Sequence, residues 1–392
     1  MTRRTLLAQC TLPLLALKGR AGAAGSPKAR LTDIEIFRVP VNKRGDWVLV
    51  RVRTDQGVTG IGDASHGHDP QIVEHIRSVW EQMKGRSFSE VEHLRRIAAP
   101  LVARKGIGGS VASSAIEHAM WDIAGQVFGV PVYDLFGGRI HRRIRSYANI
   151  NRATFDRKPA GFVKVAERAL GDGFDAFKLA PFDGWPKDPA AVEPHIANGM
   201  ECAKAIRKTI GDRNDLLIDA HSNFTLERGL QLARDFEPLR LFWLEEVCRG
   251  IDNLARIHKA AKMPSAGGES IYGVKGFYPY IAGNAVDILM PDIKYCGGLL
   301  ECKKIAAMGE GAGLTVAPHG PASPVGNIAA AHVCSTLPNF LILELGYGEA
   351  PWRAELIEPH EPLHKGYFTI GEKPGFGFTL NDALIRKLGS RA

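Results

Sequence analysis

Cysteine is scarce in this chain: six residues in 392, none in the paired spacing of a structural metal site. Cys10 falls in the N-terminal leader, which leaves an odd set, Cys202, Cys248, Cys296, Cys302 and Cys334. That excludes a disulfide scaffold and predicts buried free thiols. Long apolar runs are also missing. No stretch reaches the roughly 18 apolar residues that a bilayer-spanning helix requires. Charge of one sign is less abundant than it looks. The net charge is +8, but residues 1–30 hold Arg3, Arg4, Lys18, Arg20, Lys28 and Arg30 and no acid, so the remainder carries +8 less six, or +2. A nearly balanced body has no basic footprint for nucleic acid. Low-complexity linkers and sequence repeats are absent as well. What remains is an ordinary globular composition, 45% hydrophobic and 23% charged, long enough for two domains.

The leader has a pattern of its own. Thr2-Arg3-Arg4-Thr5-Leu6-Leu7 opens on paired arginines, a mildly apolar run continues to Leu17, and small residues follow at Ala21-Gly22-Ala23-Ala24. Residues 1–24 therefore read as a twin-arginine-type signal peptide cleaved near Ala23 or Ala24. The expected location is periplasmic or exported; the alternative, a leader without an address, leaves the protein cytoplasmic.

From residue 31 the hydrophobic period changes twice. Thr32–Val39 and Trp47–Arg53 alternate as strands do, and Gly57, Gly60 and Gly62 are expected to mark turns in a small antiparallel sheet. From Pro70 to Val127 the period is helical, strongest over Ser113–Val127 with the stripe Ile116, Met120, Ile123, Ala124 and Val127. That helix is predicted to stop at Gly129, ahead of Pro131. Phe136-Gly137-Gly138-Arg139 is the expected boundary between an α+β unit, 31–138, and an α/β unit, 139–357. The tail, 358–392, is expected to pack back on the first unit.

In the second unit short apolar runs alternate with helical sequence. Six of the runs end at residues able to hold a metal or move a proton: Asp219, the pair Glu245-Glu246, of which alternation lets only one point inward, Glu269, Asp292, His319 and Glu344. Asp219 to Glu245 is 26 residues and Glu245 to Glu269 is 24. Counting Ile144–Ala148 and Ala176–Ala180, the strands total eight. Strand-plus-helix steps of roughly 25 residues suit a closed (β/α) barrel, whose chemistry lies at the C-terminal ends of its strands. The runs thus predict a metal-dependent site spread over successive strands.

With these residues in view, the chain from about 31 to 385 resembles the enolase superfamily, in its mandelate racemase-like subgroup. The helix Ala115-Ile116-Glu117-His118-Ala119-Met120-Trp121-Asp122 and the exit loop Pro131-Val132-Tyr133-Asp134-Leu135-Phe136-Gly137-Gly138 are similar to that family's capping domain. The resemblance implies an enolase-type (β/α) barrel, a modified TIM barrel, under an N-terminal α+β capping domain. It implies one Mg²⁺ per subunit held by Asp219, Glu245 and Glu269, a catalytic dyad of Asp292 and His319, and Glu344 as the acid of the last strand. It also implies a small-molecule carboxylate substrate and a homo-oligomer.

The chemistry explains why such residues are needed. A proton beside a carboxylate is weakly acidic, because its removal loads a second negative charge on the substrate. A hard divalent cation held by oxygen ligands shares that charge. His319 is the expected base, with Asp292 fixing its tautomer. Strand 2 departs from the subgroup's Lys-x-Lys: here it is Lys178-Leu179-Ala180, and Ala180 cannot move a proton. Lys178 is left to neutralise the substrate carboxylate. Asp219-Ala220-His221 is similar to the Asp-x-His of acid-sugar dehydratases, so His221, two residues along an extended chain, is expected on the ligand's face as a general acid. Glu344 is expected to hydrogen-bond a substrate oxygen. The reading is a dehydratase that turns an acid sugar into a 2-keto-3-deoxy acid. The alternatives are a racemase or epimerase using His319 and His221, a cycloisomerase, and, from another class, a non-catalytic acid-sugar binding protein. His66-Gly67-His68-Asp69 and Trp185 lie in loops expected to contact substrate.

Overall fold

The structure is a computed structural model that describes residues 28–392. The leader, with its arginine pair and Cys10, lies outside the described residues. Three strands, β1 (Leu31–Asn42), β2 (Gly45–Thr54) and β3 (Thr59–Asp63), form an antiparallel sheet in sequence order. Three helices follow, α1 (Ile72–Met83), α2 (Val91–Lys105) and α3 (Ile107–Phe128), and then the single turn α4 (Val132–Leu135). Alternation in β2 divides its side chains cleanly. Val48, Val50 and Val52 pack with the helices, whereas Trp47 and Leu49 join the large core shared with the rest of the chain. Both faces of the strand are buried.

Two expectations change here. Gly60 and Gly62 are not turn residues: both lie inside β3. A Cβ on Gly60 would sit 2.1 Å from the Ala119 carbonyl oxygen, and one on Gly62 2.0 Å from that of Ala115. These glycines let the sheet touch the backbone of α3. Helix α3 also begins at Ile107, earlier than its apolar stripe predicts. Gly109 explains this, since any side chain there would strike the backbone of Leu101 in α2 at 2.9 Å. A glycine that reads as a breaker in sequence serves as a packing surface. The helix ends as expected, at Gly129 in the left-handed conformation.

Eight parallel strands follow: β4 (Ile144–Asn149), β5 (Ala176–Leu179), β6 (Asp215–Asp219), β7 (Trp243–Glu245), β8 (Ser265–Gly267), β9 (Ile288–Leu289), β10 (Thr315–Val316) and β11 (Leu343–Gly346). Between them run α5 (Pro159–Gly171), α6 (Val192–Ile210), α7 (Leu226–Phe236), α8 (Ile251–Ala260), α9 (Gly273–Ala282), α10 (Leu299–Gly311) and α11 (Pro324–Cys334). Each strand pairs with the next from β4 to β10, and β11 pairs back onto β4. The Leu341 N–H donates to the Val316 carbonyl at 2.8 Å and closes the ring.

The two-residue period then decides where chemistry can sit. Leu216, Ile218 and Leu244 face the surrounding helices, while Tyr147, Ala176, Leu217, Trp243 and Ala266 fill the ring's interior. The next inward positions on β5, β6, β7 and β11 are Lys178, Asp219, Glu245 and Glu344, all buried. The apolar floor excludes water from beneath four charged groups.

Beyond the ring lie β12 (Ile357–Glu358), β13 (Leu363–His364), β14 (Tyr367–Phe368), β15 (Thr379–Leu380), α12 (Asp382–Leu388) and β16 (Ser390–Arg391). β14 pairs antiparallel with β4, and β16 pairs with β1, so the tail touches both units. Glu117 of α3 accepts from the N–H groups of Leu299 and Leu300, capping α10 from the other unit. Cys202, Cys248, Cys296, Cys302 and Cys334 are free and buried. Among the described residues no helix is long and apolar enough to cross a membrane.

Candidate active site

The ends of the strands bring the sequence-selected groups together. Lys178 Nζ lies 2.5 Å from Glu245 Oε1, 3.3 Å from Asp219 Oδ2 and 3.7 Å from Glu344 Oε1. His319 Nδ1 is 2.8 Å from Asp292 Oδ2; its Nε2 is 3.3 Å from Glu269 Oε2 and 3.7 Å from Glu344 Oε2. His221 Nε2 is 2.9 Å from Asp219 Oδ2. All eight groups belong to one continuous cluster. β6 and β10 stand four strands apart in a ring of eight, so His221 and His319 approach it from opposite walls.

The charges support one another. Burial works against the Lys178 ammonium, but Glu245 and Glu344 hold its pKa well above the ordinary lysine value. Burial alone would lower His319, yet Glu269, Glu344 and Asp292 outweigh it and push it up to about 9. The Asp219 charge, against burial and with help from Asp183, pushes His221 up to about 12. Burial would raise Asp292, but Lys294 and His319 hold it below the usual carboxylate range.

Asp219, His221 and Glu269 offer ligand atoms that all lie within 4.8 Å of one another. Glu245 stands apart from that trio. Its oxygens are engaged by Lys178 at 2.5 Å and by Trp243 Nε1 at 2.8 Å, although it is the cross-strand partner of Asp219. Glu246 turns away, as strand alternation requires, and accepts from Ser222 Oγ and the Gly268 N–H. The donor set fits a hard divalent cation: carboxylates on adjacent strands, with Glu269 Oε2 buried and without a hydrogen bond.

His221 reaches the cluster by a route different from the one its spacing implies. β6 ends at Asp219, and His221 and Ser222 adopt left-handed backbone, with φ of 47° and 54°. Glu246, just past β7, has φ of 45°. Such backbone costs roughly 1–3 kcal/mol per non-glycine residue and gathers at functional sites. The two strand ends brace each other: the Ser222 N–H donates to the Glu246 carbonyl at 2.5 Å, and the His221 N–H to Asp219 Oδ1 at 2.9 Å. A tight turn, not an extended strand, puts His221 beside Asp219.

Several participants escape sequence reading. Asp183 Oδ1 lies 2.5 Å from His221 Nδ1. Asn149 Nδ2 donates to Glu344 Oε1 at 2.6 Å, and the Gly320 N–H to Glu344 Oε2 at 3.0 Å. Lys294 Nζ lies 3.3 Å from Asp292 Oδ2. Tyr295 packs its ring 5.9 Å from that of His319 and meets His66 Nδ1 at 3.1 Å through its hydroxyl, which brings the His66 loop to the site. His68 lies outside, exposed and 3.6 Å from Asp46. Trp185 packs edge-on against Phe224 and His195. A cavity of about 380 Å³ opens beside His221 and Glu269, with Ser222, Arg249, Ser270 and Tyr280 among its lining.

Comparison with known proteins agrees with this architecture. Residues 32–137 match the mandelate racemase / muconate lactonizing enzyme N-terminal domain, and residues 161–384 match the enolase C-terminal domain-like family. The chain is 32% identical over 369 residues to a D-xylonate dehydratase of Haloferax volcanii, covering 91% of this chain and 88% of that one. It is 28% identical over 370 residues to a D-gluconate/D-galactonate dehydratase of Picrophilus torridus, covering 91% and 94%. Among solved structures, a mandelate racemase/muconate lactonizing enzyme-like protein from Rubrobacter xylanophilus superposes with a TM-score of 0.83 at 30% identity, over 93% of this chain and 98% of that one. With both halves matched, an enolase-type barrel under its capping domain, and a 32%-identical relative spanning nine-tenths of its length, the chain belongs to the enolase superfamily, in the mandelate racemase/muconate lactonizing enzyme family.

Proposed function

We propose that this protein is an acid-sugar dehydratase, a hydro-lyase that removes the proton at C2 and the hydroxyl at C3. One observation carries the reading: two imidazoles, each backed by a carboxylate, face one acid cluster from opposite walls. A racemase would use such a pair on the two faces of a single carbon. A dehydratase uses one as base and the other as acid on neighbouring carbons. The relatives are dehydratases of D-xylonate, D-galactonate and D-gluconate, which favours the second.

In this account His319 Nε2 takes the C2 proton, with Nδ1 held by Asp292 so that Nε2 carries the free lone pair. The two electrons of the C–H bond enter the carboxylate as an enediolate. Lys178 is buried among Asp219, Glu245 and Glu344, and in this account its ammonium meets the substrate carboxylate. Glu344, anchored by Asn149 and Gly320, lies beside both Lys178 and His319 and bonds a substrate oxygen. His221 protonates the C3 hydroxyl as the C–O bond breaks, and water leaves. The enol then tautomerises to the 2-keto-3-deoxy acid.

Asp219, Glu245 and Glu269 are the residues proposed to hold Mg²⁺, with Glu245 turning from Lys178 as that ammonium meets the substrate. When bound, the cation supplies positive charge for the substrate carboxylate and the enediolate, and offsets the Glu269 charge that raises the His319 pKa.

The test is a screen of purified protein with Mg²⁺ against a library of acid sugars, with 2-keto acids read as semicarbazones. Semicarbazone signal on at least one sugar acid supports the reading. Exchange of the C2 proton without elimination, on every active substrate, would overturn it.

A further inference from the structure

The capping unit reaches the acid side of the site through one hairpin. At the β1–β2 turn, three consecutive residues, Asn42 at the end of β1 and Lys43 and Arg44 after it, each touch a different barrel loop. Asn42 Nδ2 donates to the Glu349 carbonyl at 3.1 Å, Lys43 Nζ stands 4.3 Å from the Phe155 ring, and Arg44 Nη1 lies 3.4 Å from Asp183 Oδ2. The same hairpin is tied to the His66 loop, where the Gly67 carbonyl accepts from the Asp46 N–H at 3.1 Å. Asp183 is the meeting point. Its Oδ1 is 2.5 Å from His221 Nδ1, and its Oδ2 accepts from Arg157 Nη2 at 3.2 Å as well as from Arg44.

The loop that carries Asp183 is itself held from below. Asn151 Oδ1 accepts from the Ala180 N–H at 2.7 Å and from Arg157 Nη1 at 3.3 Å, and Arg157 also bonds the Ala180 carbonyl. One carboxylate oxygen therefore faces two guanidinium groups and leaves the other for the imidazole. His221 needs such a partner. Its strand has ended and its backbone is left-handed, so strand alternation no longer aims its ring. Asp183 at Nδ1 leaves Nε2 as the edge that faces Asp219 and the cluster.

We propose that Asp183 is a positioning residue that aims Nε2 of His221 at the leaving hydroxyl, and that Arg44 makes this aim depend on the seated cap hairpin. The proposal rests on the dehydratase reading above. It assigns control of the second half of the reaction, C–O cleavage, to the capping unit, while the first half belongs to the His319 side. The structural alternative is an ion-pair cluster that only fastens the loop.

The experiment separates the two halves. Purified enzyme is incubated in D₂O with Mg²⁺ and a sugar acid that the wild type dehydrates. Proton NMR follows loss of the C2 hydrogen from all species, and the semicarbazone follows elimination. Asp183→Asn should lower elimination about 100-fold, within the usual range for a general acid, while total C2–H cleavage changes less than about 3-fold and deuterium appears in recovered substrate. Arg44→Met, at a partly exposed position, should lower elimination about 10-fold with C2–H cleavage intact, a smaller loss because it acts through Asp183. On a His221→Asn background, Asp183→Asn should add no further loss, as expected of residues acting as a unit. Parallel loss of both half-reactions, or an additive loss in the double variant, would overturn the proposal. Failure to find any sugar acid that the wild type dehydrates would instead overturn the dehydratase reading, and this inference with it.

Discussion

Replacing His319 by Asn removes the proposed base and little else. An asparagine amide can place its nitrogen near the position of Nδ1 and keep donating to Asp292 Oδ2, now 2.8 Å away. The pair between Asp292 and Lys294 then survives. What disappears is Nε2, the atom 3.3 Å from Glu269 and 3.7 Å from Glu344. General bases contribute about 10²–10⁴-fold, so kcat should fall about 10³-fold, or about 4 kcal/mol in the barrel's hold on the transition state. KM should stay within about 3-fold, because Lys178 and the acid cluster remain to bind substrate. The residue is 8% exposed, so the lost ring edge should cost about 1 kcal/mol and shift Tm by a few degrees. Steady-state kinetics by semicarbazone and a thermal scan read all three quantities. A variant that keeps more than about a tenth of kcat would refute the assignment, since the loss would fall below any general-base contribution. A variant whose KM rises in proportion would make His319 a binding group.

Three other outcomes follow from separate parts of the molecule. Gly62→Ala should destabilise by about 1–3 kcal/mol or more, because its Cβ would meet the Ala115 carbonyl at 2.0 Å; Gly171→Ala, with open space around it, should not, and urea titration compares them. Burial lowers His332 to about 3 and His118 to about 4, below the unfolded value near 6.5, so their contribution is present above that value and is lost as pH falls through it. His332 alone should cost about 2 kcal/mol between pH 6.5 and 5, and His332→Gln should show a shallower acid limb in melts across pH. Chelation should abolish turnover, and Mg²⁺ at 100 times its Kd should stabilise by about 2.7 kcal/mol; an Asp219→Asn variant whose melt still responds fully to Mg²⁺ would contradict the ligand assignment.

The sequence discloses the site where strand alternation rules and hides it where loops take over. Leu216-Leu217-Ile218-Asp219 carries its register in its pattern, whereas after Trp243-Leu244 alternation says only that one of Glu245 and Glu246 points inward, and the family resemblance selects Glu245. The register does not say that Lys178 and Trp243 occupy Glu245, because that depends on side-chain reach across two strands. His221 was legible by resemblance to an Asp-x-His pattern, though the backbone turn that aims it leaves no periodic mark. Asp183 stands in a loop where any aspartate passes for a turn residue, and its partners come from positions 44, 157 and 221. Gly60 and Gly62 resemble turn glycines until α3 is laid on them.

The most direct test of the central claim is the identity of the product formed in D₂O from the best sugar acid in the screen. The account predicts loss of one water and a 2-keto-3-deoxy acid carrying one solvent deuterium at C3, seen by mass and by proton NMR. Recovery of an epimer with deuterium at C2 and every hydroxyl in place would contradict it.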